Sequence, residues 1–189
     1  MQLILASGSP RRKELLGLVG VPFDVVVTDV PEIPLRGESP VKFCSRVGRE
    51  KALAASRLCP DACVIGADTI VVKGGLVLGK PTSEDEAASF LRILQGASHY
   101  VYTGYTILLN GRETSRVIRT TVRFKPMGDE DIRWYVRTGE PMDKAGAYAA
   151  QGIGSLFIER VSGSYTNVIG LPLAELCDDL RTMGFQVPR

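Results

Sequence analysis

QLILASGSPRRKELLGLV, residues 2–19, decides how the rest of the chain is read. QLILA is a short apolar strand, SGS a turn, and Ser9-Pro10 a helix start. A serine side chain can cap the first free N–H groups, and a proline in the first helical position loses nothing, because its missing N–H has no partner there. Leu15, Leu16 and Val19 then share one apolar face, so the spacing predicts a helix over 10–19. A strand feeding a helix through a tight turn is the unit of an α/β domain. One feature runs against the local rules. The N-terminus of a helix carries about half a positive charge, and acidic residues are the usual choice in its first turn, yet this helix opens with Arg11 and Arg12. If exposed and unliganded, each arginine would cost roughly 0.3–1 kcal/mol. A phosphate chain would resolve the conflict, since arginines, dipole and free N–H groups all attract it.

Outward from that unit the alternation continues. FDVVVT at 23–28 is a second strand, and Ser39-Pro40 opens a helix to about Leu58 with Phe43, Val47, Leu53 and Ala54 as its expected apolar face, leaving Lys51 among polar residues. CVIGADTIVV at 63–72 is a buried strand that turns back through Gly74-Gly75. SEDEAASFLRIL at 83–94 is a helix that obeys the dipole rule: Ser83 caps it and acids fill its first turn. Strands over 99–109 and 116–124 flank Asn110-Gly111. A helix over 129–137, a strand over 155–161 and a helix over 172–183 complete the reading.

The 189 residues carry no linker-like stretch, so a single domain over 1–189 is expected. Hydrophobic residues make up 44% and charged residues 23%, enough to bury a core. A formal net charge of only +2 gives no general attraction to nucleic acid or an anionic membrane, so basic sites must be local. There is no apolar run long enough to span a membrane and no secretory leader pattern, and a cytoplasmic location is expected. The four cysteines show no C-x-x-C spacing and are expected to be reduced. His99, the single histidine, lacks the company of a triad and is expected to be structural.

The candidate chemistry gathers where strands end, the usual ligand side of an α/β sheet. Ser7, Gly8, Ser9, Arg11 and Arg12 lie there, and so does the acidic loop TDVPE at 28–32. Asp68 is set in an apolar run, where a carboxylate is costly without a cation, metal or hydrogen bonds. Lys80 stands between Gly79 and Pro81, which restrict its backbone, whereas Lys51 alone would read as a solvated helix residue. Two arginines, two lysines and the carboxylates of Glu32 and Asp68 suit a polyphosphate and a divalent cation that keeps several waters.

With these residues collected, the chain resembles the Maf family of nucleoside triphosphate pyrophosphatases. The resemblance runs along nearly the whole chain: LASGSPRR at 5–12, REKA at 49–52, GADTIV at 66–71, LGKP at 78–81, TG at 103–104, GEPMDKAGAY at 139–148 and GSYTNVIGLPL at 163–173. It implies an α/β fold similar to that of inosine triphosphate pyrophosphatases, an elongated twisted mixed sheet flanked by helices with two lobes around a cleft. It implies cleavage between the α and β phosphates with a divalent cation, magnesium or manganese. Asp68 matches the family's proton acceptor; Ser7, Arg12, Glu32, Lys51 and Lys80 match positions for phosphate or metal.

DKAGAY and GSYTNVIGLPL resemble the branch acting on dTTP and UTP, as opposed to 7-methyl-GTP, and Arg11, Thr69 and Gln151 match its selectivity positions. A glutamine amide can donate to O4 of uracil or thymine and accept from N3–H. Two departures stand out: Pro31 beside Glu32 in a loop often richer in acids, and Gly48 where relatives tend to have alanine, a helix cost of about 1 kcal/mol unless close packing requires it. The alternatives are a non-catalytic nucleotide-binding regulator linked to septum formation and a pyrophosphatase for 7-methyl-GTP or other non-standard nucleotides. A homodimer is expected from similar proteins.

Overall fold

The computed structural model describes residues 1–187. Its elements in chain order are β1 (Leu3–Ala6), α1 (Pro10–Gly17), β2 (Asp24–Val25), α2 (Pro40–Leu58), β3 (Cys63–Lys73), β4 (Leu76–Leu78), α3 (Glu84–Leu94), β5 (Ser98–Leu109), β6 (Arg112–Phe124) and α4 (Asp129–Arg137). Short 3-10 turns at Glu140–Asp143, Ala145–Ala147 and Ile153–Phe157 lead to β7 (Ile158–Ser162), α5 (Tyr165–Ile169) and α6 (Leu173–Thr182). The strands form one mixed sheet in the order β2-β1-β3-β5-β6-β7, with β4 beside β3. β1 runs parallel to both β2 and β3, whereas β4 on β3 and β7 on β6 are antiparallel. The α/β class expected from the strand-turn-helix opening is the one observed.

The chain divides into two compact units. One holds Met1–Thr69, Thr103–Ile118 and the chain from Gly170; the other holds Ile70–Tyr102 and Arg119–Ile169. In the first, a small-residue cluster of Ile4, Ala6, Ala52, Ala55, Ala62 and Val64 packs α2 against the parallel strands. In the second, Leu91 and Leu94 of α3 join Phe124, Tyr135, Tyr148 and Phe157. Each fully buried leucine there contributes about 1.5–3 kcal/mol, and the rings add edge-on contacts such as Phe124 to Tyr148 at 4.8 Å.

The local rules account for most boundaries. Ser9, Ser39 and Ser83 each accept the backbone N–H of the third residue of the helix they cap. Asn110 and Gly111, at φ 49° and 74°, make the β5–β6 turn that an Asn-Gly pair favours.

Some expectations need correction. β2 is only two residues, not six, and β7 begins at Ile158 because a 3-10 turn occupies residues 153–157. The helix from Pro10 closes at Gly17, and α5 went unforeseen, being too short to show a period. The buried face of α2 comprises Phe43, Cys44, Val47, Gly48, Lys51, Ala52 and Ala55, so Leu53 and Ala54 lie beside it and Lys51 belongs to it. His99 is buried in the second unit, its Nε2 2.8 Å from the Tyr148 hydroxyl. Burial, helped by Lys73, pushes its pKa down to about 3, so it is a neutral core residue. All four cysteines are free thiols.

Candidate active site

The site begins at the end of β1. Ala6 pairs with Gly66 of the parallel strand β3, after which β1 gives way to the Ser7-Gly8-Ser9 turn while β3 continues through Asp68 and Thr69. These residues therefore sit just past the carboxyl end of β1, the position from which α/β sheets present ligand groups. Successive side chains on a strand point to opposite faces. Asp68 faces α2, and Thr69 faces Arg12.

On the α2 side, Lys51 Nζ donates to Asp68 Oδ1 at 3.0 Å and to Glu32 Oε1 at 2.6 Å. Lys51 and Asp68 are both buried, while Glu32 is exposed. What brings a helical lysine that close to a strand is the absence of side chains between them. A Cβ on Gly48 would stand 2.6 Å from the carbonyl oxygen of Gly104, one on Gly104 would stand 2.6 Å from the Cys44 carbonyl oxygen, and one on Gly66 would meet the backbone of Gly48 and Ala52. Three glycines thus seat α2 directly on β3 and β5, which explains why Gly48 accepts its helix penalty.

Cys44 ties the same contact: its Sγ donates to the Asp68 carbonyl oxygen at 3.2 Å and accepts the Gly104 N–H at 3.0 Å. Burial, reinforced by the Asp68 charge, pushes its thiol up to about 12. It is a structural hydrogen-bonding group with no thiolate chemistry at neutral pH.

On the other side, Arg12 is buried, with Nε donating to the Gly170 carbonyl oxygen at 2.9 Å, Nη1 to Ser7 Oγ at 3.2 Å and Nη2 to Thr69 Oγ1 at 2.9 Å. Thr69 Oγ1 also lies 2.9 Å from Thr103 Oγ1. Every acceptor is neutral, and among the described residues Arg12 has no carboxylate within ion-pair distance. A guanidinium has five N–H donors; among the described residues three are committed, which leaves two. Burial lowers the Arg12 pKa, opposed by the charges of Asp68, Cys44 and Glu32. An arginine nevertheless stays protonated in proteins, so this is a buried cation without an anion in contact.

Ser7, Arg12, Glu32, Lys51, Asp68 and Thr69 are thus brought together, with Arg11, half-buried, beside Arg12 in the chain. Lys51 is corrected from a solvated helix residue to a buried one. Lys80 and Gln151 belong to the second unit, and both are exposed. The sequence reading gave no role to Thr103, Cys44 or the Gly170 carbonyl. The TG pair at 103–104 was the available signal for the first.

For a divalent cation, the fit rests on two carboxylates. Asp68 and Glu32 meet at one ammonium, and Asp68 Oδ2 has no hydrogen-bond partner among the described residues. No cluster of three or more His, Cys, Asp or Glu side chains arranged for a metal exists among the described residues. Such a donor set fits a hard cation that takes most of its ligands from water and substrate oxygens, as magnesium does.

The Maf-like protein family model matches residues 2–183. The chain belongs to this family. Curated relatives include a dTTP/UTP pyrophosphatase of Geobacter sulfurreducens, 50% identical over 185 residues that cover 97% of each chain. One of Anaeromyxobacter dehalogenans is 50% identical over 99% of this chain and 96% of its own. Among solved structures, the Staphylococcus aureus Ham1 protein aligns with 84% of this chain and 80% of its own at 15% identity and a TM-score of 0.43. No helix among the described residues is long and apolar enough to cross a membrane.

Proposed function

We propose that this Maf-family chain is a nucleoside triphosphate pyrophosphatase that hydrolyses dTTP and UTP to the monophosphate and pyrophosphate. The observation that carries the reading is Arg12: a buried guanidinium with two uncommitted N–H donors, adjoining a buried Lys51–Asp68 pair at the carboxyl end of β1. Such an arrangement is costly for an empty protein and complementary to a polyphosphate. The names of the relatives supply the substrates.

In the proposed reaction Asp68 accepts a proton from water at its Oδ2, and the water oxygen attacks the α-phosphorus in line. The bond to the α,β-bridging oxygen breaks, and pyrophosphate leaves with the electron pair. Arg12 and Lys51 offset charge on the phosphate oxygens, and Ser7 and Thr69 hold the Arg12 fork in place. Asp68 and Glu32 would hold the divalent cation, magnesium or manganese, whose chemistry is Lewis-acid polarisation of the phosphates. By their motifs, Lys80 is assigned to the phosphates and Arg11 and Gln151 to substrate selection, with Gln151 pairing O4 and N3–H of the base.

The test is a panel of nucleoside triphosphates incubated with magnesium or manganese, products identified by mass, on the wild type and on Asp68→Asn. The wild type should yield monophosphate and pyrophosphate from dTTP and UTP. The variant should melt like the wild type and turn over on the order of 10³-fold more slowly. Diphosphate and orthophosphate as products, or near-full activity in the variant, would overturn the mechanism.

A further inference from the structure

Gln151 sits in a segment without helix or strand, between the 3-10 turn ending at Ala147 and the one beginning at Ile153. An unsupported segment of this kind would present its side chain in many orientations, yet the backbone on either side of Gln151 is pinned. The carboxylate of Glu140 does most of this. Its Oε2 accepts the Ile153 N–H at 2.9 Å, and its Oε1 accepts the Gly154 N–H at 2.9 Å and the Tyr135 hydroxyl at 2.6 Å.

Tyr135 is fully buried and fixes the other flank, its hydroxyl oxygen accepting the Ala149 N–H at 3.1 Å. The Tyr165 hydroxyl donates to the Ala150 carbonyl oxygen at 3.3 Å. A Cβ on Gly152 would collide with the Glu140 carboxylate, so the backbone lies directly against the acid. Burial opposes the charge on Glu140, but hydrogen bonds from Tyr135, Gly154 and Ile153, with Lys144 nearby, overcome it and hold the carboxyl below its usual range. These groups all belong to the second unit.

We infer that Glu140 is a positioning residue for base selection, holding the 149–154 backbone so that Gln151 presents its amide in one orientation to a pyrimidine with O4 and N3–H. The inference rests on the proposed dTTP/UTP reading. A carboxylate that spans both N–H groups and the tyrosine hydroxyl holds the loop by acceptance alone. Glutamine in its place has a single acceptor oxygen and points an NH₂ at a donor, which frees part of the loop without changing side-chain length. A base that misses its paired amide loses discrimination more than it loses reactivity, because the phosphates are held elsewhere.

The experiment compares kcat/KM for dTTP and for dCTP, whose N4 amino group and bare N3 reverse the pattern, in the wild type, Glu140→Gln and Tyr135→Phe. Amide exchange of residues 149–154 is followed in parallel. The dTTP to dCTP ratio should fall roughly tenfold in Glu140→Gln, mainly through KM for dTTP, as loss of a charged hydrogen bond implies. Exchange at 149–154 should quicken, and Tyr135→Phe should move both readouts in the same direction by less. A merely structural role would lower both substrates in parallel, and that outcome, or an unchanged ratio in variants that melt cooperatively, overturns the inference while leaving dTTP hydrolysis intact. A wild type that cleaves neither nucleotide sinks the dTTP/UTP reading and this inference with it, and the wild-type arm alone reveals that.

Discussion

Arg12 in the first unit and His99 in the second face the same physical problem and answer it in opposite ways. Burial lowers the pKa of both. His99 gives up its proton, leans on the Tyr148 hydroxyl and stacks edge-on against Phe124 at 5.1 Å, so it leaves no buried charge of its own to compensate. A guanidinium has no such exit at physiological pH. Arg12 keeps its charge, takes only neutral acceptors, and retains two donors. Burial of a polar side chain therefore does not by itself mark a site. What distinguishes the two regions is a charge kept without its counter-ion, because only that is incomplete without a ligand.

Prying α2 from the strands of the first region should cost the most. Gly48→Ala should raise helix propensity, which alone favours the variant by about 1 kcal/mol. The new Cβ, however, stands 2.6 Å from the Gly104 carbonyl oxygen, a backbone atom that cannot swing aside. The expected result is a net loss of about 1–3 kcal/mol in denaturant unfolding, with a drop in turnover as Lys51 is lifted from Asp68. A variant as stable and active as the wild type would mean that α2 can relax without moving the lysine.

Acid should weaken the second region by less. An unfolded chain's histidine titrates near 6.5, whereas folded His99 is pushed down to about 3. Below pH 6.5 the unfolded state takes up the proton first. The stability that neutral His99 confers is therefore present above about 6.5 and is lost as the pH falls toward 3. Unfolding free energy measured across that window should decline with a slope of about one proton, and His99→Gln should flatten it. An unaltered slope in the variant would assign the acid sensitivity to other groups.

Much of this was legible in the sequence. The strand-turn-helix at 2–19 announces the sheet, and α4 falls at Asp129–Arg137, where the sequence placed it. Asp68, conspicuous in an apolar run, is buried beside a lysine. Lys51 was misplaced for a physical reason. Helix faces are read from bulky apolar residues, but α2 is seated by Gly48, Ala52 and Ala55, small residues that signal close approach only once the opposing Gly66 and Gly104 are seen. Glu140 stayed hidden because its partners are a tyrosine hydroxyl five residues away and backbone N–H groups thirteen and fourteen residues away, and no spacing rule reports those.

In the proposed reaction Arg12 holds its charge for a polyphosphate. Calorimetric titration of inorganic triphosphate, with magnesium present, into the wild type and into Arg12→Gln tests it most directly. Both proteins should melt cooperatively, and the variant should bind at least about tenfold more weakly, as loss of a charge-assisted contact requires. Equal affinity in the two proteins would contradict it.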